Sequence, residues 1–265
     1  MFKKLFSIAA LSAIATVTYA GSAQAANFSY SSGIFRDSNV TNQGAFSENV
    51  NNPVYETFDF NDVSLPGNGR VKYSFVGSDD SKSKGVTSVG TGSYGPAGVN
   101  GEDNTSAYLK VFKGMSAVIE TAKEGDTFNY FGINLGALSI GNTLEFFNGD
   151  TAVELKYTDT AGNKKSASIL TYDILTALAP TKNNDEQNGF FEFFSEGTAD
   201  NFDRIVISQL TGGGSGFETD NHTFRIGTGK FVQASVPESS IALGMLAFGG
   251  SMLLGKRKEK KSVVK

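Results

Sequence analysis

The chain has 265 residues, contains no cysteine or tryptophan, and carries a formal net charge of −4 at pH 7. Without cysteine it can form neither a disulfide framework nor a thiolate metal site. Residues 27–235 carry 15 Lys and Arg against 25 Asp and Glu, and the residues after Gly255 carry six bases and one acid; this acidic body argues against nucleic acid as a partner, because phosphate binding needs a positive surface.

Residues 1–25 have the pattern of a secretory signal peptide. Two lysines precede an apolar stretch from Leu5 to Val17, and Ala23-Gln24-Ala25 supplies small residues at the −3 and −1 positions of a cleavage site. The pattern predicts export, with cleavage after Ala25 or one residue later. The alternatives are an uncleaved membrane anchor and a core helix.

Residues 26–53 are polar, with scattered aromatic residues such as Phe28, Tyr30 and Phe46. We expect this segment to be a loosely ordered lead-in or an edge element of the domain that follows.

Residues 54–230 have the composition of short strands joined by turns. β-Branched and aromatic residues cluster in runs of five to seven that are bounded by Gly, Asn, Asp or Pro, as strands require. Before Pro180, the run Leu175–Ala179 predicts one helical turn, which the proline would end. The predicted strands are Val54–Phe60, Arg70–Val76, Ala107–Phe112, Ala117–Thr121, Thr127–Leu135, Thr143–Phe147, Ala152–Thr158, Ser166–Tyr172, Phe190–Phe194, Arg204–Gln209 and Thr223–Gly227.

Several of these runs alternate between apolar and polar residues, as half-buried antiparallel strands do. The turn signal Asn148-Gly149-Asp150 joins Thr143–Phe147 to Val153–Tyr157 and predicts a hairpin. Asp159–Asn163 connects the next pair in the same way. Successive hairpins favour an all-β antiparallel sandwich over a parallel α/β sheet.

His222 is the only histidine, so a catalytic triad or a histidine general base would have to use it. Asp220 lies two residues earlier and would share its face in a regular strand. The alternative is a polar residue at a strand end, and no Gly-x-Ser-x-Gly motif supports a nucleophile. We therefore assign no catalytic residue.

Calcium is the ion that best suits this composition, because hard cations bind carboxylate, amide and backbone oxygens. One candidate patch is Asp59-Phe60-Asn61-Asp62 near the first strand of the body, and the other contains Glu218, Asp220 and Asn221 near the last strand. Both patches would meet one ion if those strands lie together. Alternatively, these side chains satisfy backbone groups in turns and caps, and the protein has no cofactor.

A carbohydrate site would need exposed aromatic side chains on one face or in the end loops of the sandwich. The candidates are Tyr94, Tyr130, Phe147 and Phe190-Phe191. The alternative is that these side chains belong to the core. A glycan hydrolase would need two converging carboxyl groups, which sequence spacing does not identify.

Residues 231–265 combine three features that make physical sense together at a membrane. A motif at residues 236–239 precedes an apolar stretch over 240–255, and a basic tail occupies 256–265, beginning with Lys256-Arg257-Lys258. The uncharged run Ile241–Leu254 would enter the bilayer while the cations stay in the cytoplasm. The alternative is a buried helix.

The motif Val236-Pro237-Glu238 and the layout that follows it resemble the PEP-CTERM sorting signal. Ser239 departs from the family pattern, which has a second proline there. The resemblance implies recognition by exosortase, a membrane transpeptidase-like enzyme, in bacteria that make exopolysaccharide.

The body is similar to exosortase-dependent surface proteins of cyanobacterial type. This second resemblance implies a jelly-roll-like sandwich, an extracellular role and no known reaction. It rests on Phe128–Gly136, Asn142–Gly149, Phe202–Val206 and Phe217–His222.

Together these patterns predict a secreted, non-enzymatic surface or extracellular-matrix protein that is anchored in the membrane by its C-terminal segment and then processed by exosortase. Exopolysaccharide is a further candidate partner. The alternative is a carbohydrate-binding module that depends on calcium, and a third hypothesis is a glycan hydrolase.

Overall fold

The structure is a computed structural model that describes residues 25–66, 69–77, 85–87, 95–180, 187–210 and 216–232, with only the backbone described at 85–87. The described part of the chain is built almost entirely from strands.

The strands are β1 (Ala25–Ser31), β2 (Glu56–Phe58), β3 (Val71–Gly77), β4 (Gly85–Thr87), β5 (Tyr108–Phe112), β6 (Met115–Thr121), β7 (Phe128–Gly136), β8 (Asn142–Asn148), β9 (Thr151–Ala152), β10 (Glu154–Thr158), β11 (Lys164–Ala167), β12 (Ile169–Thr171), β13 (Gly189–Phe194), β14 (Arg204–Gln209) and β15 (Gly216–Ile226). One helix, α1 (Tyr172–Leu178), and a 3-10 turn at Thr198–Asp200 complete the elements.

These strands form two sheets, which confirms the predicted all-β fold. The large sheet has nine strands in the order β11-β10-β1-β13-β7-β15-β5-β4, with β2 also paired to β15. The small sheet has six strands in the order β12-β8-β14-β6-β3, with β9 also paired to β8. Every pair among the described strands is antiparallel except β1 with β10.

The two sheets pack face to face around an aromatic core. Phe146 of the small sheet lies 4.5 Å from Phe193 of the large sheet, measured between ring centroids, and 6.2 Å from Phe131. Alternation supplies the inward side chains: Met115, Ala117 and Ile119 of β6 are buried, whereas the residues between them are partly exposed. Burial of this apolar surface is the main stabilising contribution.

The chain changes sheets inside the expected hairpin of Thr143–Phe147 with Val153–Tyr157. The hairpin continues only through β9, because Val153 turns into the core, where it is fully buried and donates its N–H to the Phe146 carbonyl at 2.8 Å. β10 then joins the large sheet. The predicted strand Ser166–Tyr172 is likewise divided between β11 and β12, while the predicted turn at Asp159–Asn163 does join β10 to β11.

Residues 26–53, expected to be a lead-in or an edge element, begin with a strand in the interior of a sheet. β1 lies between β10 and β13. Its sequence carries the signal of a half-buried strand, because Ala26 and Phe28 are buried and alternate with polar Asn27 and Ser29.

Two segments, 32–55 and 95–107, cover the outer face of the large sheet, and we call them the covering loops. The hydroxyls of Ser47 and Tyr130 lie 2.6 Å apart and link the first covering loop to β7. The second approaches so closely that a Cβ added to Gly136 would lie 2.7 Å from the backbone of Pro96. The middle of β15 is therefore buried on both faces although its residues are polar.

Candidate functional site

His222 lies in the core and makes structural contacts on both sides of its ring. Its Nδ1 lies 2.9 Å from the Tyr73 hydroxyl, and its Nε2 lies 2.9 Å from the Thr219 hydroxyl. The ring is fully buried and meets the edge of Phe60 at a centroid distance of 5.0 Å. Burial lowers the pKa of His222 to about 3, so the imidazole is neutral near pH 7.

Asp220 does not share the face of His222, although both lie on β15. The register with β7 shifts between Asp220 and Thr223, and Asn221 between them has a φ of 51°. This β-bulge inserts one residue and reverses the alternation. Asp220 therefore lies under the covering loops, where Asn104 donates to it at 2.8 Å, and the arrangement differs from the geometry of a triad.

The two patches predicted to bind calcium do lie on paired strands, since β2 pairs with β15. In the first patch, Asp59 forms an ion pair with Arg36 at 2.5 Å, and Asn61 is exposed. In the second, Glu218 forms an ion pair with Lys110 of β5 at 2.9 Å. Within the described part of the chain, no three His, Asp or Glu side chains cluster as a metal site. Calcium at these residues stays a prediction.

Asp220 is the most deeply buried carboxylate among the predicted ligands. It accepts hydrogen bonds from the Asn104 amide and from the Asn221 N–H, each at 2.8 Å. Burial, the largest cause, raises the pKa of Asp220 well above its usual range despite these hydrogen bonds. No ion pair to Asp220 forms among the described residues.

A cleft of 590 Å³ opens where β1 and β10 diverge. The two strands pair in parallel only from Ala25 with Glu154 to Asn27 with Lys156. Beyond this point, the facing edges of β1 and β10 form no ladder with each other. The cleft is lined by Asn27, Phe28, Ser29, Tyr30, Lys156, Tyr157, Thr158, Thr160, Lys164, Lys165, Leu178 and Phe194.

The rim of this cleft is basic within an acidic body. Lys156, Lys164 and Lys165 are all exposed. Tyr157 lies beside them, with its ring centroid 5.0 Å from that of Phe28, and threonine hydroxyls are nearby. Lysines on the edge strand β11 also discourage pairing with other chains. Cations, an aromatic face and hydroxyls together are nevertheless suited to an anionic, hydroxyl-rich ligand.

The aromatic residues expected to bind carbohydrate lie elsewhere. Tyr130, Phe190 and Phe191 are buried, and Phe147 is covered by the Arg204 guanidinium 4.5 Å from its ring centroid. Tyr94 lies outside the described residues. Sequence reasoning missed the cleft, although the presence of Lys156 before the predicted turn and of Lys164-Lys165 after it was a usable signal.

From residue 233 onward, the predicted sorting segment lies outside the described residues, as does nearly all of the predicted signal peptide. The segment contains Val236, Pro237 and Glu238, the run Ile241–Leu254, and the basic Lys256, Arg257 and Lys258. Among the residues that are described, no helix is both long enough and apolar enough to cross a bilayer.

The comparisons identify no relative: the chain matches no protein-family model, no curated protein and no solved structure.

Proposed function

We propose that the chain is an exported surface or extracellular-matrix protein with a structural or adhesive role, sorted through residues 231–265 by an exosortase-type enzyme. The order of features in that segment carries the proposal. The motif at Val236–Glu238 is followed by an uncharged run to Leu254 and then by a basic tail. An apolar run with cations on its cytoplasmic side holds the chain at a membrane, where the motif is accessible to a membrane enzyme.

The body is, on this proposal, a jelly-roll-like sandwich without catalytic activity. Two groups that could serve acid–base chemistry are engaged in structural contacts. His222 is buried and neutral between Tyr73 and Thr219, and the carboxylate of Glu218 is paired with Lys110. These contacts support a folded module that binds a ligand or has a structural role.

Mass spectrometry of the chain recovered from cells that express an exosortase tests the sorting proposal. We expect an N-terminus at Ala26 or Asn27 and a C-terminus near Pro237–Ser239. The variant Pro237→Ala should retain the tail, whereas the control Gln233→Ala should be processed like the wild type. Recovery of mature chains that end at Lys265 would refute processing.

A second candidate function is recognition of an acidic polysaccharide in the β1–β10 cleft. Three lysines beside Tyr157 carry this candidate, because ammonium groups pair with carboxylates while sugar rings pack on aromatic faces. No Asp or Glu is among the described residues that line the cleft. Hydrolysis needs two carboxyl groups across the substrate, so the cleft favours binding over a glycan hydrolase.

Binding of carboxylated and neutral polysaccharides to the full chain tests this candidate. We expect the carboxylated polymer to bind and the neutral polymer not to bind. The affinity should fall as the salt concentration rises, because salt screens exposed charges. Replacing Lys156, Lys164 and Lys165 with Gln should abolish binding. The double variant Lys72→Gln, Lys123→Gln removes exposed lysines of the other sheet and its adjoining turn, and should bind normally. Equal loss in both variants contradicts a role for the cleft.

A further inference from the structure

A buried polar layer lies between the outer face of the large sheet and the covering loops. Asp220 of β15 stands directly opposite Asn134 of β7 in the strand register, and Asn221 follows in the β-bulge. All three side chains are fully buried. The layer thus places a carboxylate and two amides away from water on adjacent strands.

The two amides bind the covering loops through their nitrogens. The Asn134 amide donates to two main-chain carbonyls of the second covering loop, at 3.3 and 2.9 Å. The Asn221 amide donates to two carbonyls of the first, at 2.7 and 3.0 Å. The four acceptors are the carbonyls of Pro96, Ala97, Gln43 and Ala45.

The oxygens of the same amides lack donors. Oδ1 of Asn134 and Oδ1 of Asn221 are buried and have no hydrogen-bond partner in the described part of the chain. Rotating either side-chain amide by 180° would exchange its nitrogen and oxygen, and the oxygen would then face carbonyl oxygens. Neither orientation therefore pairs every oxygen of the layer with a protein donor, and buried polar atoms in folded proteins nearly always have a partner.

The two amides of the layer and the amide of Asn104, which donates to Asp220, converge on one point at Gly44 of the first covering loop. A Cβ added there would lie 2.8, 3.0 and 3.1 Å from the amide nitrogens of Asn134, Asn221 and Asn104, respectively. Asp220 accepts a hydrogen bond from Asn104 but forms no ion pair among the described residues. A buried carboxylate without a cation is costly.

We propose that Asp220, Asn134 and Asn221, with the carbonyls of the covering loops, form a calcium site that ties both loops to the large sheet. Calcium binds about six to eight oxygens from carboxylates, amides and main-chain carbonyls, and these are the groups assembled here. When both amides turn over, their oxygens and the facing carbonyls become ligands together. Magnesium suits the site less, because it prefers to keep several of its waters.

This site differs from the one predicted from the sequence. It retains Asp220 and Asn221 but leaves out Asp59 and Glu218, which pair with Arg36 and Lys110, and it adds Asn134. It depends on neither the sorting of the chain nor glycan binding, so its test is independent of theirs.

Calorimetric titration and thermal unfolding of the full chain, treated with EDTA and dialysed, test the proposal. We expect one calcium ion per chain. A calcium concentration of about 100 times Kd should raise Tm by roughly 5–10 °C for a domain of this size, and magnesium should raise it less. The absence of both heat and a Tm shift at millimolar calcium would overturn the proposal.

The variant Asp220→Asn locates the site, since it removes the charge while keeping the shape. We expect it to lose the calcium-dependent shift in Tm. The control Asp62→Asn removes an exposed carboxylate that accepts two hydrogen bonds from Ser64, and should keep the shift. A shift that survives Asp220→Asn, or disappears in Asp62→Asn, places the ion elsewhere and overturns the assignment.

Terbium luminescence supplies a readout that does not depend on folding of the Asp220 variant. The chain has no tryptophan, so tyrosine must sensitise the emission. Tyr108 lies near the site, because a Cβ added to Gly95 would contact both its ring, at 3.3 Å, and Asn104, at 3.4 Å, and Asn104 donates to Asp220. Terbium bound at Asp220 should therefore emit on tyrosine excitation, lose emission when calcium displaces it, and emit less in Tyr108→Phe than in Tyr157→Phe. Equal emission in the two variants contradicts the location.

Discussion

The hydroxyl of Tyr73 and the Nδ1 atom of His222 lie 2.9 Å apart and join the two sheets across the core. Tyr73 belongs to β3 of the small sheet and His222 to β15 of the large one, and their rings stack at 17° with centroids 6.0 Å apart. The opposite ring nitrogen lies 2.9 Å from the Thr219 hydroxyl. Both nitrogens of a buried imidazole are thus occupied by hydroxyl groups, which can donate or accept.

The first prediction concerns acid stability. The pKa of His222 is about 3 in the folded chain because of burial, against about 6.5 when unfolded. The unfolded state binds the proton first, so the stability linked to neutral His222 is complete above pH 6.5 and is lost as pH falls toward 3. Between pH 7.5 and 4.5 this loss is about 2–3 kcal/mol. His222→Gln should remove that part of the pH dependence, measured by urea unfolding at both values.

Buried carboxyl groups oppose this trend, which makes the comparison between variants necessary. Burial raises the pKa of Asp220, and also that of Glu192. Their contributions are complete below the unfolded pKa and decline as pH rises through the folded pKa. The difference between wild type and His222→Gln isolates the histidine. If that difference does not change with pH, His222 has the same pKa in the folded and unfolded states and the assignment is wrong.

The second prediction concerns Tyr73→Phe. This change keeps the ring contacts but leaves Nδ1 of His222 without its partner, and a buried unpaired polar atom costs about 1–3 kcal/mol. We expect a loss of that size in the free energy of unfolding. Tyr157→Phe, whose hydroxyl makes no hydrogen bond among the described residues, should change it by less than about 0.5 kcal/mol. Similar losses in both variants would argue against the link between the sheets.

Local alternation was sufficient to predict most strands, but it did not assign them to sheets. The pattern of Val153–Tyr157 indicates a strand with one apolar face, which is correct. The pattern does not show whether this strand pairs with β8 in the small sheet or crosses to the large sheet, because the same apolar face is buried in both arrangements. The chain crosses at Val153, whose side chain occupies the core between the two sheets. That core exists only in the folded protein, so a local sequence pattern does not predict the crossing.

The burial of the polar run in β15 was beyond a local prediction. Glu218, Asp220 and Asn221 look like solvent-exposed residues near a strand end, yet they lie beneath loops distant in sequence. The positive φ of Asn221 separates Asp220 from His222, and asparagine tolerates that conformation better than most residues. Composition predicted calcium at other carboxylates as well as at Asp220, whereas the site that we propose joins Asp220 to two buried amides.

The third prediction tests the contact between β7 and the second covering loop. Gly136→Ala would bring a methyl group to 2.7 Å from the backbone of Pro96, and overpacking of this kind costs about 1–3 kcal/mol. We expect that loss in urea unfolding. The control Gly197→Ala places its methyl group in open space, 3.8 Å from the Asp200 carboxylate, and should be nearly neutral. Equal stability of the two variants would mean that the loop does not pack on Gly136.

The fourth prediction concerns the proposed sorting motif, at the position where the chain departs from the PEP-CTERM pattern that it resembles. Ser239→Pro restores the second proline and fixes one backbone φ. Restricting one residue in the free chain contributes about 0.4–1 kcal/mol, so an enzyme that binds an extended motif should process the variant about two- to fivefold faster. The measurement is the ratio of processed to intact chains over time, by mass spectrometry in cells that express an exosortase. The control Ser240→Pro imposes the same restriction one residue later and should not accelerate processing. Equal acceleration by both variants would mean that backbone rigidity, and not the motif, limits the reaction.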